Sequence, residues 1–445
     1  ANGGFPFLIL YLALALCCGV IIMLGELALG RKTGHGAVGA YQSISKRFKW
    51  LGWLGIAAAA LIFSFYSALG GYCLRYVVVN FGNLIGAEFG TNGVGGADVF
   101  QGLLSQPDVS IAFALAFMLI TMLVVMSGVG GGIERVCSVG MPALFFILII
   151  CIIRSCTLPG AADGLKYMFV PGWAVANGII DEAPGFWRVL TAAGGQMFFS
   201  LSLGAGVMIT YGSYLDKKQD LGKSAMIIVG MDTVVALMAG LCVIPGRFAL
   251  DPNGALGGPE LLFITMQNVF DKMGPAGPVF GILFYLLVFF AAISSSISML
   301  EVIVAHFCDK AREKGKGDRR KLYSAIVVVI CAALCALVCA DGMGSNHISP
   351  AELLGLAGAK LPGWSTSWLG LFDSVAEGLL MPLGALLMCL MISWELKPDA
   401  LRQEILLNGE NRPWVYDFFR LCVKYITPLC MLMILYGQIS DFFIV

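Results

Sequence analysis

The sequence predicts an all-α polytopic membrane protein, and three observations carry that prediction. Of 445 residues, 58% are hydrophobic and 13% charged, where soluble domains carry about 25% charged residues. Mean hydropathy is +0.86. Apolar runs of roughly 20 residues, enough for a helix to cross a bilayer, recur about ten times. The 56 glycines suit close helix packing in lipid.

The spans fall near 7–29, 51–82, 109–127, 137–158, 187–214, 224–245, 278–308, 322–341, 368–394 and 414–444. The first carries Tyr11 and ends in GELALGR, where Glu26 either snorkels or pairs with a loop cation. The second is long and holds Tyr66 and Arg75, the arginine at a depth where packing would have to bury it. The third is plainly apolar. Ahead of and inside the fourth, Gly132 and Pro142 mark either a helix N-terminus or a segment that unwinds to admit water.

The fifth span contains QMFFSLSLGAGVMITYGSY (196–214), too apolar for a surface loop and too rich in Ser and Gly for an uninterrupted helix. Ser200, Ser202, Gly204 and Gly206 fall where the bilayer midplane should lie. Backbone that unwinds there must find protein, water or ligand partners, because lipid offers none. Broken helices of this kind build substrate and ion sites in secondary transporters.

The sixth span places Asp232 well inside the apolar stretch, and an intramembrane carboxylate is a functional candidate. The seventh has a hydroxyl cluster, Ser294, Ser295, Ser296 and Ser298. Such hydroxyls either bond back to helix carbonyls or, with freed carbonyls, suit a hard oxygen-preferring cation such as Na⁺. The eighth is cysteine-rich. The ninth begins with Asp373, a helix N-terminal acid or a gate. The Tyr66 hydroxyl needs a partner, a helix carbonyl or an anionic ligand group.

Composition excludes other classes. Net charge is zero, so no bulk basic signal for nucleic acid exists. The 14 cysteines lie mostly inside spans, which argues against a disulfide framework. Three dispersed histidines and no CxxC or HExxH argue against a transition-metal site. No nucleophile elbow or Walker loop is present, and GVGGGIE (128–134) lacks a phosphate cradle's context, so no enzyme is expected.

Basic residues fix an orientation. Arg31, Lys32, Lys46, Arg47 and Lys49 follow the first span, Lys217, Lys218 and Lys223 the fifth, and a run from Lys310 to Lys321 the seventh. Loop 83–108 has no Lys or Arg and 342–367 only Lys360. The basic loops are therefore expected in the cytoplasm and Ala1 outside. With no initiator Met or signal peptide, that start reads as a processed or truncated chain, or as a native exofacial one.

Together, ANGGFPFLILY and GELALGR (1–31), SFYSALGGYCLRY (64–76), GGQMFFSLSLGAGVMITYGSY (194–214), GPELLFITM (258–266) and FFAAISSSISMLEV (289–302) resemble the neurotransmitter:sodium symporter family, bacterial LeuT-like members of the eleven-helix type. The resemblance implies a LeuT-type fold with inverted repeats: a first repeat over 1–158, incomplete because the family's first helix is missing, a second over 187–394, and an extra helix at 414–444. It implies that Tyr66 bonds a substrate carboxylate and that Phe199, Ser200 and Ser202 line the break. Ala291, Ser294 and Ser295 would supply one sodium and Ser200 and Asp232 the other, both sites incomplete without the first helix. Tyr66 and Phe199 would close the pocket outside, with Asp373 as outer gate acid near Gln196, and Tyr214 and Asp309 as inner gate pair.

Two departures shape the functional reading. Chloride-dependent relatives hold the anion where Tyr11, Gln196 and Ser200 stand here, but Asp232 puts a fixed charge beside them. That carboxylate would do chloride's work in a low-dielectric site, so no chloride requirement is expected, and titration of Asp232 would add proton antiport. The side-chain region, Ile62, Ala205 and Met299, has room for a bulky apolar or aromatic amino acid. The expected function is sodium-coupled symport of such an α-amino acid across the plasma membrane by a monomer or homodimer. The alternatives are a non-transporting receptor or partner protein of the same fold, and a symporter for an amine or non-α amino acid.

Overall fold

A computed structural model describes residues 4–254, 257–317, 319–355, 362–396, 400–406 and 413–443. Ala1 and Lys360, which enter the orientation argument, lie outside these. All regular structure among the described residues is helical. The spans are α1 (Phe5–Thr33), α2 (Lys49–Ile85), α3 (Pro107–Met126), α4 (Val129–Cys156), α5a (Phe186–Leu201) with α5b (Val207–Gly212), α6 (Leu221–Leu250), α7 (Gly277–Glu313), α8 (Arg320–Asp341), α9 (Trp368–Glu395) and α10 (Pro413–Phe443). Nine of these are long and apolar enough to cross a membrane. The tenth, α5, is not among the nine because a break divides it.

Local chemistry sets the helix ends. α1 stops at Gly34, whose φ of 64° is left-handed, and carries Arg31 and Lys32 in its last turn, where cations complement the helix dipole. The Asp220 side chain caps α6 by accepting the Lys223 N–H. α4 begins at Val129 with a π turn over Val129–Ile133 and runs unbroken through Pro142. Of the two readings of Gly132 and Pro142, the helix start is the one observed. Gly132 is needed at the turn out of α3, since a Cβ there would meet the Val124 carbonyl oxygen. A second π turn, Ala15–Gly19, interrupts α1.

The centre of the bundle is the crossing of α2 and α7, flanked by α3 and α8. Both are 37 residues long and continuous, so of three spans that look long or interrupted in sequence only the fifth is broken. One large core joins residues of α1, α2, α5, α7, α9 and α10. Leu119, Leu123, Phe146 and Val329 point outward, as a lipid-facing surface requires. α1 and α5b approach at backbone distance: a Cβ on Gly30 would meet the Ile209 carbonyl oxygen, and one on Gly212 the Leu27 carbonyl oxygen. Arg31, 4% exposed, fastens this end. Its Nε donates to Glu404 Oε2 at 2.8 Å, and its Nη groups donate to the carbonyls of Asp216, Gln219 and Glu404.

Candidate substrate and ion site

The break in α5 is built by alternating left-handed residues. Ser202 has φ 51°, Gly204 φ 80° and Gly206 φ 75°. Ser202 is the strained member, because a side chain in this region costs about 1–2 kcal/mol. The Leu203 N–H still reaches Phe198 O at 3.1 Å, closing α5a, and Gly206 opens α5b. In between, Gly204 lies against α9, where a Cβ would run into the Met381 carbonyl oxygen.

The freed Gly204 N–H donates to Glu26 Oε1 at 2.7 Å. Glu26 has no solvent exposure; among the described residues its Oε2 takes no hydrogen bond, while the Met208 backbone N–H also approaches the carboxylate. Both sequence readings of Glu26 are thereby corrected: it neither snorkels nor pairs with a loop cation. The loop-side cation Arg31 takes Glu404 instead. A buried acceptor aimed at unwound backbone satisfies an N–H that lipid would leave bare.

Asp232 joins the α5a side of the same break. Ser200 Oγ donates to Asp232 Oδ2 at 2.6 Å and Tyr11 OH to the same oxygen at 3.3 Å. A cavity of about 840 Å³ opens alongside, lined by Tyr11, Gln196 and Thr233 among mainly apolar groups. The structure thus brings Tyr11, Ser200 and Asp232 into direct contact, with Gln196 at the cavity wall.

Opposite, Tyr66 on α2 meets Phe199 edge-on, with ring centroids 6.2 Å apart, and its hydroxyl approaches that of Ser295. Ile62, one turn earlier on α2, is buried, as are Ala205 and Met299. Ser294 Oγ donates to Ala291 O at 2.9 Å. The hydroxyl cluster on α7 divides: Ser296 Oγ pairs with Thr121 at 3.1 Å and Ser298 Oγ with Tyr211 OH at 2.8 Å. Ser296 and Ser298 thus serve helix packing. Ala291, Ser294 and Ser295 present an all-oxygen set, the donor chemistry that suits a hard cation.

The gate residues find partners other than those expected. Tyr214 OH donates to Glu301 Oε1 at 2.7 Å, and Arg320 Nη1 donates to Glu301 Oε2. Asp309 accepts the Gly36 N–H at 2.9 Å and lies 4.0 Å from His35 Nδ1. Tyr214 and Asp309 therefore belong to two separate contacts, not one pair. Asp373 lies against Glu377, one turn on in α9, while Gln196 faces the cavity beside Tyr11. Arg75 lies over the Phe113 ring, 6.0 Å from its centroid. Glu26, Glu301 and Glu377, with Arg320 beside Glu301, are thus polar residues to which sequence reasoning gave no site role; the signal of the carboxylates is their place inside an apolar run, as in MLGELAL and ISMLEVIV, whereas Arg320 stands in a basic loop run that gives none.

A ten-span helical bundle with one broken helix, and carboxylates and hydroxyls gathered at the break, has the architecture of an ion-coupled membrane transporter. The sequence profile of the Sodium:neurotransmitter symporter family (SNF) matches residues 1–92 and 97–443, and the chain belongs to that family. The sodium-dependent transporter YhdH of Bacillus subtilis (strain 168) is 35% identical over 99% of this chain and 91% of its own length. The sodium-dependent transporter MJ1319 of Methanocaldococcus jannaschii is 28% identical over 91% of this chain and 77% of its own. The crystal structure of MhsT in complex with L-phenylalanine superposes with a TM-score of 0.82 at 32% identity, covering 98% of this chain and 92% of that one. The chain is therefore a multi-pass membrane protein of a sodium-dependent transporter family and not an enzyme. The expectation of a missing first helix gains no support, since Phe5–Thr33 is itself a candidate span.

Proposed function

We propose that this protein is a sodium-coupled, chloride-independent symporter of a hydrophobic or aromatic α-amino acid. The observation that carries the reading is the break at Ser202–Gly206 with Asp232 bonded to Ser200 and Tyr11 beside it. In this reading Tyr66 receives the substrate carboxylate, and Phe199, Ser200 and Ser202 line the pocket. Ile62, Ala205, Ser295 and Met299 surround the side chain. One sodium ion takes oxygens from Ala291, Ser294 and Ser295, the other from Ser200 and Asp232. The L-phenylalanine bound by MhsT, 32% identical to this chain, supports the aromatic class.

Charge logic supports chloride independence. Two cations and a zwitterion gathered in a low-dielectric pocket need an additional negative charge, and Asp232 supplies it as a fixed carboxylate. Sodium and the substrate carboxylate attract one another there, so binding of one favours the other and the sodium gradient drives accumulation. Alternating access follows from rocking of the broken-helix unit against the rest, with 1–158 and 187–394 as the inverted repeats and 414–444 as an added helix. Asp373 beside Glu377 is the outer gate, and Tyr214 with Glu301 and Asp309 with Gly36 guard the inner side. The basic loops face the cytoplasm at the plasma membrane.

The test is uptake of labelled L-phenylalanine into proteoliposomes. An inward sodium gradient should drive accumulation, gluconate in place of chloride should leave it intact, and leucine, tyrosine or tryptophan should compete. Collapse in gluconate refutes the role of Asp232. Competition by glycine alone refutes the substrate class.

A further inference from the structure

A second cavity, about 360 Å³, lies away from the break, on the loop face that joins α2 to α3 and α6 to α7. Its walls carry Asn83, Gly93, Gly95, Asn268, Asp271 and Lys272, with Phe270 and Pro278 as an apolar side. We propose that this cavity binds a small zwitterion bearing one carboxylate and one ammonium, a free α-amino acid being the simplest.

Both charges of such a ligand have a counterpart. The Lys272 ammonium donates to Leu250 O at 2.7 Å and lies 3.8 Å from Asp251, which leaves a third proton for a carboxylate. The N–H groups of Gly93 and Gly95 take no carbonyl partner among the described residues. Asn92 and Gly93, with φ 52° and 79°, hold the turn that presents them. Asn83 Oδ1 accepts from the N–H and hydroxyl of Thr91, leaving its NH₂ as a further donor. On the other side, Asp271 offers a carboxylate to the ammonium. Among the described residues its Oδ1 accepts the Gln267 amide alone, at 2.9 Å, and burial holds the carboxyl above its ordinary range, so a cation beside it relieves an unfavourable ionisation.

The polar wall is braced from behind. Gln267 Oε1 accepts from Asn80 Nδ2 at 2.9 Å inside α2, and Asn268 bridges Gly96 N–H and Asp251. The recognising groups are therefore held before a ligand arrives, which lowers the ordering cost of binding. Because Asn83 belongs to α2 and Asp271 to the segment after α6, a ligand here would also clasp two parts of the bundle. The ligand class follows from the cavity's own charges, independently of the reading of the central site.

The test is acetylation of Lys272 in the reconstituted full chain, read by peptide mass spectrometry as its rate relative to that of the exposed Lys166 in the same sample, so that reagent consumed by the amine of the probe, glycine, cancels. At about ten times the half-saturating glycine concentration, roughly a tenth of the labelling rate should remain, since protection follows one-site mass action. Acetate and ethylammonium, each carrying one charge, should protect far less, and Asp271→Asn should abolish glycine protection while retaining sodium-driven uptake. Equal protection by acetate, no protection by glycine, or protection that survives Asp271→Asn would each overturn the proposal. The wild-type comparison of glycine with acetate stands even if Asp271→Asn fails to fold.

Discussion

Replacing Glu26 tests whether the break is held by a single buried carboxylate. Its Oε1 accepts the Gly204 N–H at 2.7 Å with no exposure to solvent. Hydrogen bonds to charged groups contribute about 1.5–3 kcal/mol, and a buried donor left without a partner costs about 1–3 kcal/mol. Glu26→Ala removes the acceptor at a position with no solvent exposure, so the broken conformation should lose about 2 kcal/mol. If sodium and substrate bind only that conformation, affinity for labelled L-phenylalanine in sodium should fall about 30-fold, at 1.4 kcal/mol per decade. Glu26→Gln keeps an amide oxygen at the same place and should lose roughly threefold to tenfold, on the weaker scale of neutral hydrogen bonds. The assay is scintillation-proximity binding to the purified full-length chain, with size-exclusion profiles confirming folding. Glu26→Ala binding within twofold of wild type would refute the reasoning, as would Glu26→Gln weaker than Glu26→Ala.

Other outcomes follow from the same geometry. Asp232→Asn should make uptake chloride-dependent, with gluconate substitution abolishing transport that wild type retains; chloride-insensitive uptake by the variant would count against the charge-balance reading. Gly30→Val places a side chain against the Ile209 carbonyl and should destabilise by about 1–3 kcal/mol or more, as overpacking does, read as a lowered Tm in detergent. Arg320→Gln leaves Glu301, which has no exposure, with Tyr214 as its remaining hydrogen-bond donor named above. Uncompensated buried charges cost about 3–5 kcal/mol, so it should lower Tm more than Glu301→Gln, which keeps the Tyr214 bond.

Sequence reading and structure agree wherever the deciding forces are local. Hydrophobic run length places most of the ten spans to within about five residues, though the fourth begins at Val129 and not near 137 because its glycine-rich first turns are helical; the Ser and Gly pattern of 196–214 locates the break, because left-handed backbone favours small residues. Asp232 stands out because a lone carboxylate in an apolar run has few bland explanations, while its company with Tyr11 and Ser200 comes from the family resemblance and not from any local pattern. The partner of Glu26 was not, because Gly204 lies 178 residues away and no local pattern encodes that contact. The same holds for Glu301, whose partners come from the end of α5b and the start of α8. Ser296 and Ser298 look identical to Ser294 and Ser295 in sequence. Only their positions around the helix separate packing hydroxyls, facing Thr121 and Tyr211, from those left at the site.

The π turn at Ala15–Gly19 sets the phase of α1. Tyr11 and Glu26 are 15 residues apart, and a regular helix turning about 100° per residue would carry the second roughly 60° past the first. A π turn closes i→i+5 bonds and takes up one extra residue, so it underwinds α1 between them. Both side chains then address the same neighbour: Tyr11 through Asp232 and Ser200 on the α5a side of the break, Glu26 at Gly204 within it. The extra residue acts as a spacer in angle rather than in length. Removing one residue from 15–19 would let a regular hydrogen-bond ladder close with the two halves of α1 in nearly the same phase, whereas a regular helix imposed on all the residues between Tyr11 and Glu26 would turn them out of step, so that one helix could no longer serve both contacts.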